Sequence, residues 1–144
     1  MARISVEAGF TCPNRDGKKG TGGCVYCNNA SFTDGVLFPG RPVEEQVRRT
    51  IASSGRLRAF RRLLVYFQPY TNSYAPPEEL ERTYRAAFCH PDVVGIVVGT
   101  RPDCLEPPVL DVLGAIARDW YVSVEIGLQS ISEDVLTGIN RGHT

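Results

Sequence analysis

Four short apolar runs, separated by segments of helical spacing, constrain the fold of this chain more than any other feature. They cover residues 4–8, 63–68, 93–100 and 121–129 and are rich in β-branched side chains, a composition typical of buried strands. Strands that alternate with helices predict a parallel sheet, because each crossover helix returns the chain to the edge where the next strand begins. The expected fold class is therefore α/β, a partial (β/α) barrel with outer helices.

The segments between the runs carry apolar side chains at i, i+4 and i+8, which predicts amphipathic helices. These stripes run from Val43 to Ile51, from Leu80 to Phe88 and from Val109 to Trp120. Pro76-Pro77 and Pro107-Pro108 stand where the second and third helices should begin, and proline suits a first helical turn. Ser130 and Glu133 predict a capping box for a short last helix that Gly142 ends.

The first and last runs alternate between an apolar and a small or polar set of side chains. The small or polar set is Ser5, Glu7, Gly9, Ser123, Glu125, Gly127 and Gln129. In a (β/α) barrel this set would face the lumen, which would then hold a cofactor and a substrate instead of a packed core. A half-exposed antiparallel sheet is the alternative. Four strands do not close a barrel, so residues 1–144 are expected to be the N-terminal part of a longer core domain, truncated after the fourth strand.

The charge of the chain is balanced overall but unevenly distributed. The net charge is zero, with an excess of six positive charges in residues 1–62 and of six negative charges in residues 63–144. The basic excess comes mainly from seven arginines between Arg41 and Arg62, which indicates either an RNA-binding face or a solvated helix surface. No apolar run approaches eighteen residues and the N-terminus lacks a signal-peptide core, so we expect a cytoplasmic protein.

Three of the five cysteines fall within sixteen residues, at Cys12, Cys24 and Cys27. The Cys-x-x-Cys pair has metal-ligand spacing, because one tight turn lets two thiolates point at one centre. Three thiolates leave a fourth ligand position open. A structural zinc site normally takes four protein ligands, so the zinc alternative requires His90 or His143 as the fourth.

Three strings in this order resemble one protein family. They are residues 4–17 (ISVEAGFTCPNRDG), residues 99–104 (GTRPDC) and residues 140–144 (NRGHT). With the Cys-x11-Cys-x-Tyr-Cys triplet, they resemble the YhcC/YtqA-type subfamily of the radical S-adenosylmethionine (SAM) superfamily, which is related to the Elongator catalytic subunit and to coproporphyrinogen-type enzymes. The usual superfamily spacing is Cys-x3-Cys-x2-Cys, and the longer first gap is similar to that of this branch.

The resemblance implies a [4Fe–4S] cluster and SAM as cofactors, with a flavodoxin- or ferredoxin-type protein as the one-electron donor. Cys12, Cys24 and Cys27 would ligate the cluster within a loop over residues 10–38, and SAM would be cleaved to a 5′-deoxyadenosyl radical. No residue beyond the cluster ligands is implied to be catalytic. The implied SAM-binding residues are Tyr26 beside the adenine, Gln68, Thr71 and Asn72 for the methionine amine, Thr100 and Arg101 at the rim, Glu125 and Gln129 for the ribose, and Arg141 for the carboxylate.

The resemblance also points to tRNA as the substrate, with modification of a wobble uridine and contacts through the segment from Arg41 to Arg62. Two alternatives stay open at this point. One is radical SAM chemistry on a small molecule. The other is a non-catalytic module that binds nucleic acid and is stabilised by zinc or by a cluster.

Overall fold

The computed structural model describes residues 1–28 and 37–144. Its elements, in chain order, are β1 (Ala2–Val6), α1 (Val43–Ser53), a 3-10 turn (Leu57–Ala59), β2 (Leu63–Phe67), α2 (Pro77–Ala86), β3 (Val93–Thr100), a second 3-10 turn (Pro102–Cys104), α3 (Pro107–Ile116), β4 (Tyr121–Ile126) and α4 (Glu133–Gly138). This order confirms the predicted α/β class. Residues 29–36 of the expected cluster loop lie outside the described residues. Among the helices described, none combines the length and apolar character needed to cross a membrane.

The four strands form one parallel sheet in the order β1-β2-β3-β4. Each strand pairs with the next one in the chain, as Val6 with Phe67, Val65 with Ile96 and Gly99 with Glu125. This sequential order is consistent with a partial (β/α) fold. Because the strands are parallel, all their carboxyl ends meet at one edge of the sheet, where (β/α) folds place their functional sites.

The core lies between the sheet and the helices. Val47 of α1 and Leu80 and Tyr84 of α2 have no exposed surface and pack against strand residues such as Val6 and Phe67. The rings of Phe67 and Tyr84 meet edge to face with their centroids 5.3 Å apart. Burying each such side chain contributes roughly 2 kcal/mol to folding, so the apolar stripes read from the sequence supply the packing that holds the helices on the sheet.

Glu7 does not face the lumen, and that prediction was wrong. Strand β1 ends at Val6, so the alternation of faces stops one residue before Glu7. The buried Gln46 of α1 bonds both the N–H of Glu7 (2.9 Å) and its carbonyl oxygen (2.7 Å), and the Glu7 carboxylate accepts from the N–H of Gly40 at 3.0 Å. These contacts turn the chain toward the helices at this point.

The last helix begins later and ends earlier than its sequence signals predicted. Its N-cap is Ser132, whose hydroxyl accepts from the N–H of Val135 at 3.5 Å, while the hydroxyl of Ser130 accepts from the N–H of Ser132. The helix ends at Gly138. Asn140 then takes a left-handed conformation with φ 52°, which asparagine tolerates better than most residues, and this turn directs residues 140–144 back toward the sheet.

Candidate functional site

A cavity of about 320 Å³ lies at the carboxyl ends of the strands. The three clustered cysteines, all from the loop after β1, line it. Other wall residues come from the opposite end of the chain. Eight of the nine predicted SAM-binding residues also line it: Tyr26, Gln68, Thr71, Thr100, Arg101, Glu125, Gln129 and Arg141. The fold thus brings residues that lie more than a hundred positions apart to one place.

Tight turns shape the cysteine loop. The N–H of Cys27 donates to the carbonyl oxygen of Cys24 at 2.9 Å, which folds the Cys-x-x-Cys pair into one turn. Gly22 and Gly23 have φ values of 80° and 85°, in the left-handed region that glycine occupies without strain. The glycines therefore let the chain reverse direction just before Cys24.

Nitrogen donors surround two of the thiols. Arg101 Nη1 lies 3.8 Å from Cys12 Sγ, and Arg141 Nη1 and Asn14 Nδ2 each lie 3.6 Å from Cys24 Sγ. Burial acts to raise the pKa of the Cys24 thiol, but hydrogen bonds from Arg141 and Tyr26 outweigh it and lower the pKa. Such an environment favours the thiolate, which is the form of cysteine that ligates metals.

Asp103 holds Arg101 in place beside Cys12. Its carboxylate accepts from Arg101 Nε at 2.9 Å and from Nη2 at 3.0 Å, and it also accepts from Lys19 Nζ at 2.6 Å. Although burial acts to raise the pKa of Asp103, the bonds from Arg101 and Lys19 lower it far below the ordinary range of a carboxyl group. Asp103 therefore ties the cysteine loop, through Lys19, to the end of β3.

Arg141 closes the cavity from the C-terminal side. It is buried, and its Nη2 donates to the carbonyl oxygen of Gly127 at 2.5 Å while its Nε donates to His143 at 3.0 Å. A Cβ on Gly127 would lie 2.8 Å from Gln129 Nε2, so a side chain there would displace the Gln129 amide. Gln129 and Tyr70, both on the cavity wall, have φ values of 73° and 66°; non-glycine residues with such strain are concentrated at functional sites.

Arg3, Tyr66 and Glu125 interact with one another on the sheet face that forms the floor of the cavity. Arg3 Nη1 lies 2.8 Å from Glu125 Oε1 and its guanidinium stands over the ring of Tyr66, 5.1 Å from the centroid. Burial, followed by a hydrogen bond with Glu125, raises the pKa of Tyr66 to about 12. Gly99 lies between them on β3, in register with Glu125, and its missing side chain lets the phenol reach the carboxylate.

Asn72 is the one predicted SAM-binding residue that does not line the cavity. It has no exposed surface, and its Nδ2 donates to the carbonyl oxygens of Phe67, Pro69 and Gly99 at 2.9–3.1 Å. These bonds fasten the turn after β2 to the end of β3. The structure thus gives Asn72 an architectural role, and Gln68 and Thr71 are the neighbouring side chains that reach the cavity.

The basic segment from Arg41 to Arg62 does not form one face beside the cavity. Helix α1 runs opposite to the strands, so Gly40 is bonded near the carboxyl end of β1 while Arg62 accepts from Ala2 at the amino end. Arg41 and Arg49 pair with Glu45 on the helix surface. The remaining arginines after α1 therefore lie near the opposite edge of the sheet from the cysteines.

Sequence reasoning missed Arg15 as a site residue. It lies in the cysteine loop, lines the cavity, and its Nη2 donates to the carbonyl oxygen of Cys27 at 3.3 Å. The available signal was its position three residues after Cys12. Tyr66 and Tyr70 also line the cavity.

The three thiols are arranged around the cavity and do not converge on one ion. Within residues 1–28 and 37–144, no group of three or more His, Cys, Asp or Glu side chains is placed to hold a metal ion. A single zinc ion needs its sulfur ligands at about 2.3 Å from one point. The side chains of the described residues do not meet this requirement.

No protein-family model matches the chain. It is 40% identical over 147 residues to protein YhcC of Escherichia coli (strain K12), a match that covers 98% of this chain and 45% of the relative. It is 35% identical over 144 residues to the uncharacterized protein YtqA of Bacillus subtilis (strain 168), covering 98% and 44%. A shorter match, 48% identical over 52 residues, links it to Elongator complex protein 3 of Danio rerio and covers 35% and 9%.

These matches confirm the resemblance to YhcC and YtqA over nearly the whole chain. The chain spans less than half the length of these curated relatives.

Proposed function

We propose that this homologue of YhcC and YtqA is part of a radical SAM enzyme, in which Cys12, Cys24 and Cys27 hold a [4Fe–4S] cluster and the adjoining cavity binds SAM. One observation carries the proposal. The three cysteines and eight residues that the resemblance implied as SAM ligands, drawn from all parts of the chain, line a single cavity. The short match to Elongator complex protein 3 supports the same class.

The residues around the cavity fit such a group. Three thiols leave one ligand position for a small molecule, and N–H donors from Arg101, Arg141 and Asn14 already point at two of the sulfurs. Hydrogen bonds to the sulfurs of an iron–sulfur cluster raise its reduction potential. When bound, the cluster would supply the electron that cleaves SAM into methionine and a 5′-deoxyadenosyl radical.

The protein's own side chains would bind and orient SAM. Arg141 has five N–H groups, of which Cys24, Gly127 and His143 occupy three, so two are left for the methionine carboxylate. Glu125 is held by Arg3 at 2.8 Å and would accept from ribose hydroxyls. The oxygens of Gln68 and Thr71, both on the cavity wall, would accept hydrogen bonds from the methionine amine.

Anaerobic reconstitution tests the cofactor. The protein should become brown and hold about four iron and four sulfide per chain, and dithionite with SAM should then yield 5′-deoxyadenosine. Cys24→Ala should abolish that product, whereas Cys89→Ala is the matched control, because Cys89 is outside the cavity and bonds the carbonyl oxygen of Glu44. A colourless protein with one zinc per chain would contradict the proposal.

For the substrate, we propose tRNA with a wobble uridine as the target. The resemblance to the Elongator subunit supports this choice, and the arginines after α1, which lie near the sheet edge away from the cavity, would bind the tRNA backbone at a distance from the target base. Binding of tRNA should weaken steeply with salt, and Arg58→Gln should reduce the salt slope by about one if Arg58 contacts a phosphate. Arg85→Gln is the control. Arg85 is also an exposed arginine, but it pairs with Glu81 at 2.9 Å, so its replacement should leave the salt slope unchanged. Salt-independent behaviour would favour a small-molecule substrate.

A further inference from the structure

Each of the three clustered cysteines has an arginine beside it. Arg101 approaches the thiol of Cys12 and Arg141 approaches the thiol of Cys24. Arg15 completes the set through the carbonyl oxygen of Cys27. The three guanidinium groups come from the cysteine loop, from the end of β3 and from the segment after α4, so sequence proximity does not account for this arrangement.

Arg15 differs from the other two in what else it contacts. Arg101 is neutralised by the carboxylate of Asp103, and Arg141 is bonded to Gly127 and His143. Among the described residues, no salt bridge involves Arg15. Like Arg141, and unlike Arg101, it therefore has no carboxylate partner there, and a site partly shielded from water amplifies the effect of an uncompensated charge on its neighbours.

The guanidinium of Arg15 is also fixed in position. Its Nε is buried and has no hydrogen-bond partner among the described residues. A Cβ on Gly23 would lie 2.9 Å from that nitrogen, so the loop backbone packs directly against the guanidinium. A buried N–H without an acceptor is unfavourable by about 1–3 kcal/mol, and the sulfur of a bound cluster would supply the missing acceptor.

We propose that Arg15 is a positioning and tuning residue that donates to the cluster and raises its reduction potential. This inference rests on the proposed function. One electron passes from the flavodoxin- or ferredoxin-type donor to the cluster, no proton is taken up, and the site gains one negative charge. A fixed guanidinium beside Cys27 stabilises that reduced, more negative state relative to the oxidised one, so a donor can reduce the cluster at a higher potential.

A redox titration of the reconstituted protein, followed by electron paramagnetic resonance without SAM, tests the proposal. Arg15→Gln should lower the ratio of reduced to oxidised cluster at a fixed potential about tenfold, which is about 59 mV for a one-electron couple. Arg15→Lys keeps the charge and should restore most of the ratio. Lys18→Gln is the control, since it removes a positive charge from the same loop but its side chain lies over Tyr74, and it should change the ratio less than about twofold.

The outcomes separate this inference from the proposed function. A midpoint is measured on the loaded fraction, so partial loading of a variant does not obscure it. An Arg15→Gln protein with the wild-type midpoint would overturn the inference, and weaker SAM binding at that unchanged midpoint would assign Arg15 to the cofactor instead. A wild-type protein that takes up no iron–sulfur cluster would defeat the proposed function itself.

Discussion

At the residue scale, Asp103 is the side chain on which the position of Arg101 depends. Arg101 is 3% exposed and Asp103 14% exposed, so replacing the carboxylate leaves a buried guanidinium without its partner. We expect Asp103→Asn to lower the free energy of unfolding at pH 7 by about 2 kcal/mol, measured by urea denaturation. Glu106→Gln, a nearby exposed position, should stay within about 0.5 kcal/mol of the wild type.

Asp103 should also make the free energy of unfolding depend on pH in a known direction. The pKa of Asp103 is lower in the folded protein than the ordinary value of about 3.9 expected in the unfolded chain. Its contribution to stability is therefore complete above about pH 4 to 5 and is lost as the pH falls toward the folded pKa. The unfolding free energy of Asp103→Asn should fall less steeply between about pH 4.5 and about pH 2 than that of the wild type, and parallel curves would contradict this.

The sequence identified side chains that line the cavity, but it did not identify their partners. Arg101 and Arg141 could be named because they stand in recognisable strings, and the fold places both on the cavity. Asp103 and Arg15 stand in the same strings, yet their roles depend on contacts with Lys19 and Cys27 that exist only after folding. Linear spacing carries no information about such pairs when they are up to 84 residues apart.

At the scale of elements, two glycines in regular structure have opposite roles. Gly95 lies on β3 in register with Tyr121, and a Cβ there would lie 2.7 Å from Tyr121 Cβ and closer still to its carbonyl oxygen. Gly114 lies in α3, where an added Cβ would meet nothing within 4 Å. Gly95 is therefore required for the close approach of β3 and β4, whereas Gly114 only weakens its helix.

We expect Gly95→Ala to destabilise the protein by about 2 kcal/mol or more, because the strands must move apart to admit the methyl group. Gly114→Ala should instead raise the free energy of unfolding by about 0.5–1 kcal/mol, since alanine loses less backbone entropy in a helix. Urea denaturation of the two variants measures both effects. Equal stability of the two would contradict the observed strand spacing.

Element types were predictable from periodicity, and element ends were not. The runs at residues 4–8 and 121–129 extend beyond the observed strands, because apolar alternation continues into the turns that form the cavity rim. Trp120 completes the apolar stripe of α3 in sequence, but the helix ends at Ile116 and the indole stacks on Phe88 with centroids 4.2 Å apart. Local pattern cannot distinguish a residue that continues an element from one that packs after it.

At the scale of the whole molecule, the cysteine loop and the segment after α4 hold each other. Asn14 Nδ2 donates to the carbonyl oxygen of Asn140 at 2.5 Å, and Asn140 Nδ2 donates to that of Gly23 at 2.9 Å. The N–H of Val25 donates to the carbonyl oxygen of Ile139 at 3.0 Å. These three bonds join parts of the chain more than 110 residues apart and keep Cys24 buried under Arg141.

Because the two segments support each other, we expect Asn140 to protect the thiol of Cys24, which lies near the other end of the sequence. Asn140→Gly keeps the left-handed turn and removes the bond to Gly23, so the loop should open about fivefold more often for a bond worth about 1 kcal/mol. Labelling of Cys24 in the reduced, metal-free protein, mapped by mass spectrometry, should accelerate by that factor. Asn140→Ala adds backbone strain and should accelerate it further, whereas Thr137→Ala on the exposed face of α4 should not. If Cys24 reacts at one rate in all three variants, the bonds from residues 139–141 do not hold the loop over this thiol.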